Sequence, residues 1–297
     1  MNGILPLWKP KGLTSHDCVI KVRKWYKTKK VGHAGTLDPE VEGVLPICIG
    51  QATKIVPFLM DTDKTYITEM KLGIATETED QQGKVIAEKE VNNPPSQQEI
   101  ENVLQSFQGT ITQVPPMYSA VKVKGKRLYE YARQGLHVER PKRQITIHQI
   151  EHLPSEQSDR TIRMKVVCSK GTYIRTLCVD IGKRLGYPAH MSDLVRIESG
   201  PIRQQDTIHL QTVEKAFTQN RHSELLLPIE RGIEHLDTLF VDESTKKRVL
   251  FGQKLPKPVG QLQTNPFAVK YDNQLLAIYQ IHPKVPHEIK PVRVFNE

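Results

Sequence analysis

Between Lys64 and Leu72 the chain alternates without a break. Tyr66, Thr68, Met70 and Leu72 fall on one side, and Ile67, Glu69 and Lys71 on the other. A period of two held over this length fits an extended strand with one face turned to a core. Residues 44–49 read as a buried strand, and residues 118–123 and 143–150 as strands around a basic insertion. Ile162, Met164 and Val166 alternate in a strand running to Gly171, and residues 194–197 form another before Gly200-Pro201. Three stretches have helical spacing instead. Thr14 or Ser15 caps a helix with Val19, Val22 and Tyr26 on one face. Ser96 and Glu99 form a capping box ahead of Ile100, Val103, Leu104 and Phe107. Ile174, Leu177, Cys178, Ile181 and Leu185 line a third helix, which Gly186 stops. Strands and helices mix without strict alternation. The expected class is therefore α+β, with a largely antiparallel mixed sheet and flanking helices.

The pattern changes near Pro228. One helix over residues 243–251 is followed by short strands at 267–271, 275–281 and 292–295, with Asp272-Asn273 as a turn. This divides the chain into a domain over residues 1–228, carrying an insertion at about 115–147, and a small, mostly β domain over residues 229–297.

Composition excludes several classes. The apolar runs are too short to cross a bilayer, and the first residues lack the charged and apolar regions of a secretory signal. Cys18, Cys48, Cys168 and Cys178 form no C-x-x-C pair, so neither a zinc site nor a disulfide framework is expected. These features fit a cytoplasmic protein with reduced thiols. The net charge of +9 favours an acidic partner, and nucleic acid is the usual one. The cations cluster. Eight lie between Lys9 and Lys30, opposed only by Asp17, and a second group includes Lys124, Lys126, Arg127 and Arg133. Tyr118, Tyr129 and Tyr131 stand within or beside that second group, and cations interleaved with aromatics suit phosphates and unstacked bases.

Residues 31–39, V-G-H-A-G-T-L-D-P, place one carboxylate, Asp38, in a loop shaped by Gly32, Gly35 and Pro39. Three other segments put polar or aromatic residues at element ends: Lys64-Thr65-Tyr66, the run 171–175 with Tyr173 and Arg175, and Leu194 with Arg196. Converged on Asp38, they would form a site with one carboxylate, one guanidinium, two phenols and an apolar wall. Arg175 would bond Asp38 through one or both of its nitrogens. In a buried setting, removing either partner would cost roughly 3–5 kcal/mol. The sequence holds no Walker loop, dinucleotide fingerprint, metal-ligand spacing or nucleophile elbow, so no cofactor and no metal are expected. A single carboxylate leaves nucleophilic attack, proton transfer or stabilisation of a cationic sugar open.

These segments are similar to the motifs of the bacterial TruB family, tRNA pseudouridine synthases acting on the uridine of the TΨC loop (tRNA position 55). The resemblance covers K-P-K-G-L-T-S-H-D at 9–17, V-G-H-A-G-T-L-D-P-E-V-E-G-V-L-P-I-C-I-G-Q-A-T-K at 31–54 and K-T-Y at 64–66. It continues in V-P-P-M-Y-S-A-V-K-V-K-G-K-R-L-Y-E-Y-A-R at 114–133 and S-K-G-T-Y-I-R-T-L at 169–177. It implies a pseudouridine synthase core with a PUA-like C-terminal RNA-binding domain, acting on the tRNA T-arm as a monomer. It implies that Asp38 is catalytic, that Tyr66 stacks on the target base and takes part in proton transfer, and that Arg175 pairs with Asp38. Tyr173 and Leu194 line the pocket, His33 contacts RNA beside the vacated base position, and Lys9 and Pro10 support the loop. The insertion, with Lys124, Lys126 and Arg127, clamps the T-loop. Three other functions are weighed against this one. A guide-RNA-dependent pseudouridine synthase fits less well because no lysine-rich tail is present and the bacterial-type insertion is. A tRNA-binding or folding factor would not need Asp38. A base-excising glycosylase would need a means of activating water.

Overall fold

The computed structural model describes residues 1–154, 160–260 and 262–296. The chain opens with β1 (Gly3–Lys9), α1 (Ser15–Trp25), β2 (Val31–His33), β3 (Glu42–Ile49), α2 (Val56–Met60) and β4 (Lys64–Leu72). A ribbon of β5 (Ile74–Thr76) and β6 (Val85–Glu88), then α3 (Gln97–Ser106) and β7 (Gly109–Gln113), lead into the insertion. The insertion holds β8 (Lys122–Val123), β9 (Lys126–Arg127) and α4 (Leu128–Arg133). The chain then forms β10 (Arg143–Leu153), β11 (Thr161–Cys168), α5 (Ile174–Arg184), β12 (Ala189–Ser199), β13 (Ile202–Arg203), β14 (Ile208–His209) and α6 (Leu210–Thr218). Last come β15 (Thr238–Phe240), α7 (Glu243–Leu250), β16 (Leu255–Pro256), β17 (Phe267–Tyr271), β18 (Gln274–Ile281) and β19 (Glu288–Val294).

The fold is α+β. The main sheet runs β14-β1-β3-β12-β4-β11-β10-β7, with β2 on β3 and β13 on β12. Its pairings are antiparallel except β1 with β14 and β3 with β12. A second, five-stranded sheet runs β15-β17-β18-β19-β16. Local capping sets two of the helices. Thr14 with Asp17 and Ser96 with Glu99 form reciprocal boxes that start α1 and α3. These helices and α5 bury Val19, Val22, Leu104, Leu177 and Ile181 in one cluster with Leu5, Leu45, Ile47, Met70 and Met164 of the main sheet. The alternate residues Ile4 and Cys48 point the other way. There they join Ile55, Leu59 and Ile233 with Ala268, Leu275, Ile278 and Phe295, so the second sheet shares an apolar core with the first. Among the described residues, no helix is long and apolar enough to cross a membrane.

Four strand expectations change. Residues 118–123 are not a continuous strand, because the carbonyls of Tyr118, Ser119 and Val121 accept from Arg175, Tyr129 and Leu128 instead of a neighbouring strand. Only the two-residue ribbon β8–β9 remains, closed at Lys124 and Gly125, both at positive φ. Residues 194–197 lie inside the much longer β12, which two register irregularities against β4 bend. The strand carrying Ile162 stops at Cys168, short of Gly171. The last strand starts at Glu288, not Val292, and carries Pro291 within it.

Candidate active site

Asp38 lies on the loop between β2 and β3, which is fastened at several points. Val41 N–H donates to Asp38 O at 3.1 Å, closing a tight turn. Ser15 Oγ accepts from Leu37 N–H at 2.9 Å, and Gly12 N–H donates to Pro39 O at 2.9 Å. The fully buried Lys9 ammonium donates to Pro10 O (2.9 Å), Leu13 O (2.6 Å) and Pro39 O (3.0 Å), tying the first loop to the second. Burial pulls its pKa down, against nearby Cys18, Glu40 and Asp38.

Arg196, on β12, holds the loop from behind. It is 1% exposed and donates Nε–H to Val44 O at 2.8 Å and an η-nitrogen to Gly35 O at 3.0 Å. Gly43, at φ 126°, packs on the Arg196 backbone so closely that a Cβ there would lie 2.2 Å from Arg196 O. Only glycine fits that position.

Arg175, in the first turn of α5, is the hub. One η-nitrogen meets Asp38 Oδ2 at 3.1 Å and donates to Tyr118 O at 2.9 Å. The other donates to Thr78 O at 3.0 Å and stands 3.6 Å from Asp80 Oδ2. The Asp38 contact uses one nitrogen and is not bidentate, because the second serves the turn after β5. The pair also differs from the buried one expected: the Arg175 side chain is 7% exposed but Asp38 is 46% exposed. Loss of Asp38 leaves Arg175 beside Asp80, and loss of Arg175 leaves Asp38 in contact with water. The full cost of an orphaned buried charge therefore does not apply.

Asp38 opens into a cavity of about 1150 Å³. Tyr66, Tyr173, Arg175, Leu194 and Arg127 line it with Asp38, as do Lys64, Ser119, Tyr129 and Arg196. Tyr66 enters from β4, Tyr173 from the residue capping α5 and Leu194 from β12. Burial raises the Tyr66 phenol, against the nearby Arg196 charge. Tyr66 is therefore a neutral hydroxyl at physiological pH. Lys64 donates to Met60 O at 2.9 Å and also to Thr62 O, closing the C-terminal end of α2. Its burial brings its pKa to about 8, with Arg196 adding to the effect.

The other sequence candidates lie outside the cavity lining. His33 ends β2 with burial lowering its pKa, and Lys9 and Pro10 lie behind the loop. Lys124 and Lys126 lie on the exposed ribbon, where Lys126 stands over Tyr131 at 6.0 Å. Arg127 and Arg133 lie over Tyr129 at 5.8 and 5.3 Å, forming a cationic, aromatic rim. Sequence reasoning missed Asp80, which sits in a polar turn with no periodic pattern. It named Lys64 and Arg196 only as neighbours of other residues. Among the described residues, no group of three or more His, Cys, Asp or Glu could hold a metal ion.

The cavity thus brings together a carboxylate held by a guanidinium, two phenols and an apolar side chain. The whole-chain architecture agrees with a solved structure of a Cbf5-Nop10-Gar1 complex, with TM-score 0.75 and 28% identity, covering 99% of this chain and 84% of that one. Residues 23–174 match the N-terminal domain model of TruB family pseudouridylate synthases, and residues 175–234 match the tRNA pseudouridylate synthase B C-terminal domain. The fold class is therefore that of pseudouridine synthases. Two relatives, from Oceanobacillus iheyensis and Bacillus licheniformis, are each named tRNA pseudouridine synthase B. They are 56% and 51% identical, over 99% of this chain in each case and 98% and 97% of theirs. The chain belongs to the TruB family of pseudouridylate synthases.

Proposed function

We infer that this chain isomerises uridine to pseudouridine in tRNA, at the uridine of the TΨC loop, with Asp38 as the catalytic carboxylate. The observation that carries the reading is Asp38 itself, half-exposed in a cavity and held by Arg175 at 3.1 Å. Its family membership and the full-length relatives support the reaction and a tRNA substrate over a purely binding role.

The target uridine leaves the loop stack, at a cost of a few kcal/mol. Its base enters the cavity between Tyr66 and Leu194, where a ring face and an apolar wall replace the lost stacking. Asp38 acts at the sugar and promotes cleavage of the bond between N1 and C1′. The freed uracil turns within the cavity, and C5 bonds to C1′. N1 ends with a proton and C5 gives one up, so substrate and product have the same atoms and no energy source is consumed. The neutral Tyr66 hydroxyl can carry a proton near the sugar. Arg127, Arg133 and the ribbon lysines face the phosphates of the T-arm, with residues 115–147 as the clamp. Residues 1–228 carry the chemistry, and residues 229–297 add RNA contacts as a PUA-like unit. The protein acts as a monomer in the cytoplasm.

The test is Asp38→Asn on a T-arm stem-loop, read by pseudouridine mapping and by RNA affinity. Turnover falls below detection while binding stays within about threefold, since the side chain keeps its size and sits at the cavity wall. Substantial retained turnover would sink the assignment.

A further inference from the structure

Gln113 is the last residue of β7, directly before Val114-Pro115-Pro116 and the insertion. It is polar yet only 2% exposed. Its side-chain amide faces the main chain of Tyr173 in a matched pair of hydrogen bonds. Nε2–H donates to Tyr173 O at 3.0 Å, and Oε1 accepts from Tyr173 N–H at 2.8 Å. The amide thus imitates a neighbouring strand for a single residue. Tyr173 precedes α5 with extended backbone angles and has no side-chain cap of its own. Its N–H would otherwise be an orphan donor at a helix start. Its carbonyl also accepts from Leu177 N–H at 3.0 Å, so both of its lone pairs are used.

We propose that Gln113 is a positioning residue that fixes the Tyr173 backbone and so holds the Tyr173 ring in the cavity. The amide donates and accepts at once in a planar pair with no change of protonation state. A buried glutamine at a strand end needs such partners, and the partner here is a residue that lines the candidate active site. The same contact joins the root of the insertion to the start of α5. Placement of the ring is therefore tied to the segment from which the RNA clamp springs. This inference rests on the pseudouridine synthase reading above.

The experiment uses the full chain and a T-arm stem-loop, with single-turnover rate and RNA Kd measured for the wild type, Gln113→Met, Tyr173→Ala and the double variant. Gln113→Met keeps the volume and removes the amide. It should lower the single-turnover rate by about tenfold or more while Kd stays within about twofold. In the Tyr173→Ala background the same substitution should cost less than about threefold, because the ring it positions is gone. A purely structural role would give the same fold loss in both backgrounds, and that result overturns the proposal. So does a wild-type rate in Gln113→Met. Gln113→Leu, which stays close in size and lacks both the donor and the acceptor, is the second variant should Gln113→Met fail to bind RNA. It too should lose rate with Kd preserved, and a wild-type rate there also overturns the proposal. Absence of pseudouridine with the wild type would instead overturn the activity itself, independently of Gln113.

Discussion

Lys64→Met gives a stability change whose size and pH window follow from the structure. The Lys64 ammonium is buried beside Arg196 and its pKa falls from 10.5 to about 8. A cation whose folded pKa is depressed leaves more protons on the unfolded chain between those two values, so stability rises with pH across that window. Below about pH 8 the cost of keeping the buried charge is fully present, and it fades toward pH 10.5. A shift of this size corresponds to about 3 kcal/mol in total, of which about 2 kcal/mol is recovered between pH 7 and pH 9.5. The titration of other groups is common to both proteins and cancels in the comparison. Urea denaturation of wild type and Lys64→Met at pH 7 and 9.5 reads it directly. The wild type should gain about 2 kcal/mol relative to the variant on going to the higher pH. Methionine also loses the bonds to Met60 O and Thr62 O, which moves both measurements together and leaves the difference between them unchanged. Parallel stability curves would refute the claim that Lys64 is a buried, destabilised cation.

Arg175→Ala should cut single-turnover rate far more than RNA affinity. It should also lower stability by about 2–4 kcal/mol through the stranded carbonyls of Thr78 and Tyr118. Weakened affinity with normal turnover would make Arg175 a phosphate ligand instead. Neutralising Lys124, Lys126 and Arg127 together should reduce the slope of log K against log salt by about 2–3, as measured by filter binding across a salt series. An unchanged slope would remove the ribbon from the RNA footprint.

Elements with local causes were legible. The Ser96–Glu99 box acts within four residues, and α3 starts where that box places it; of the two caps open for α1, Thr14 or Ser15, the structure takes Thr14, boxed with Asp17. The alternation at 64–72 is likewise a property of one segment, and β4 has those bounds. β1 was not legible, because Pro6 interrupts its pattern. In the sheet Pro6 stands opposite Pro46, a register position that asks neither residue to donate across the pair. Of the site, Asp38, Tyr66, Tyr173, Arg175 and Leu194 were singled out at element ends, and the cavity gathers all five. Arg196 was harder to place, since its bonds to Gly35 and Val44 span 161 and 152 residues and leave no mark in either local sequence. Asp80 differs: Thr78 Oγ1 and Gln82 N–H hold its carboxylate locally, as in an ordinary polar turn, and its contact with Arg175 spans nearly a hundred residues.

The geometry also reassigns what holds the site together. Asp38 is half-exposed and touches one nitrogen of Arg175, so the ion pair alone contributes little orientation. Arg175 is held instead by neutral acceptors, Thr78 O and Tyr118 O, from the turn after β5 and from the insertion. Those bonds are partly buried, and the planar guanidinium satisfies them while still reaching both Asp38 and Asp80. Lysine donates from a single nitrogen, so it could not match acceptors that are spread around both η-nitrogens of Arg175. The insertion, through Tyr118, therefore supplies part of the frame that aims the carboxylate. The basic, aromatic segment proposed to contact RNA is also bonded to the residue that pairs with Asp38. Substitutions at its root should therefore disturb turnover even where no RNA contact is lost.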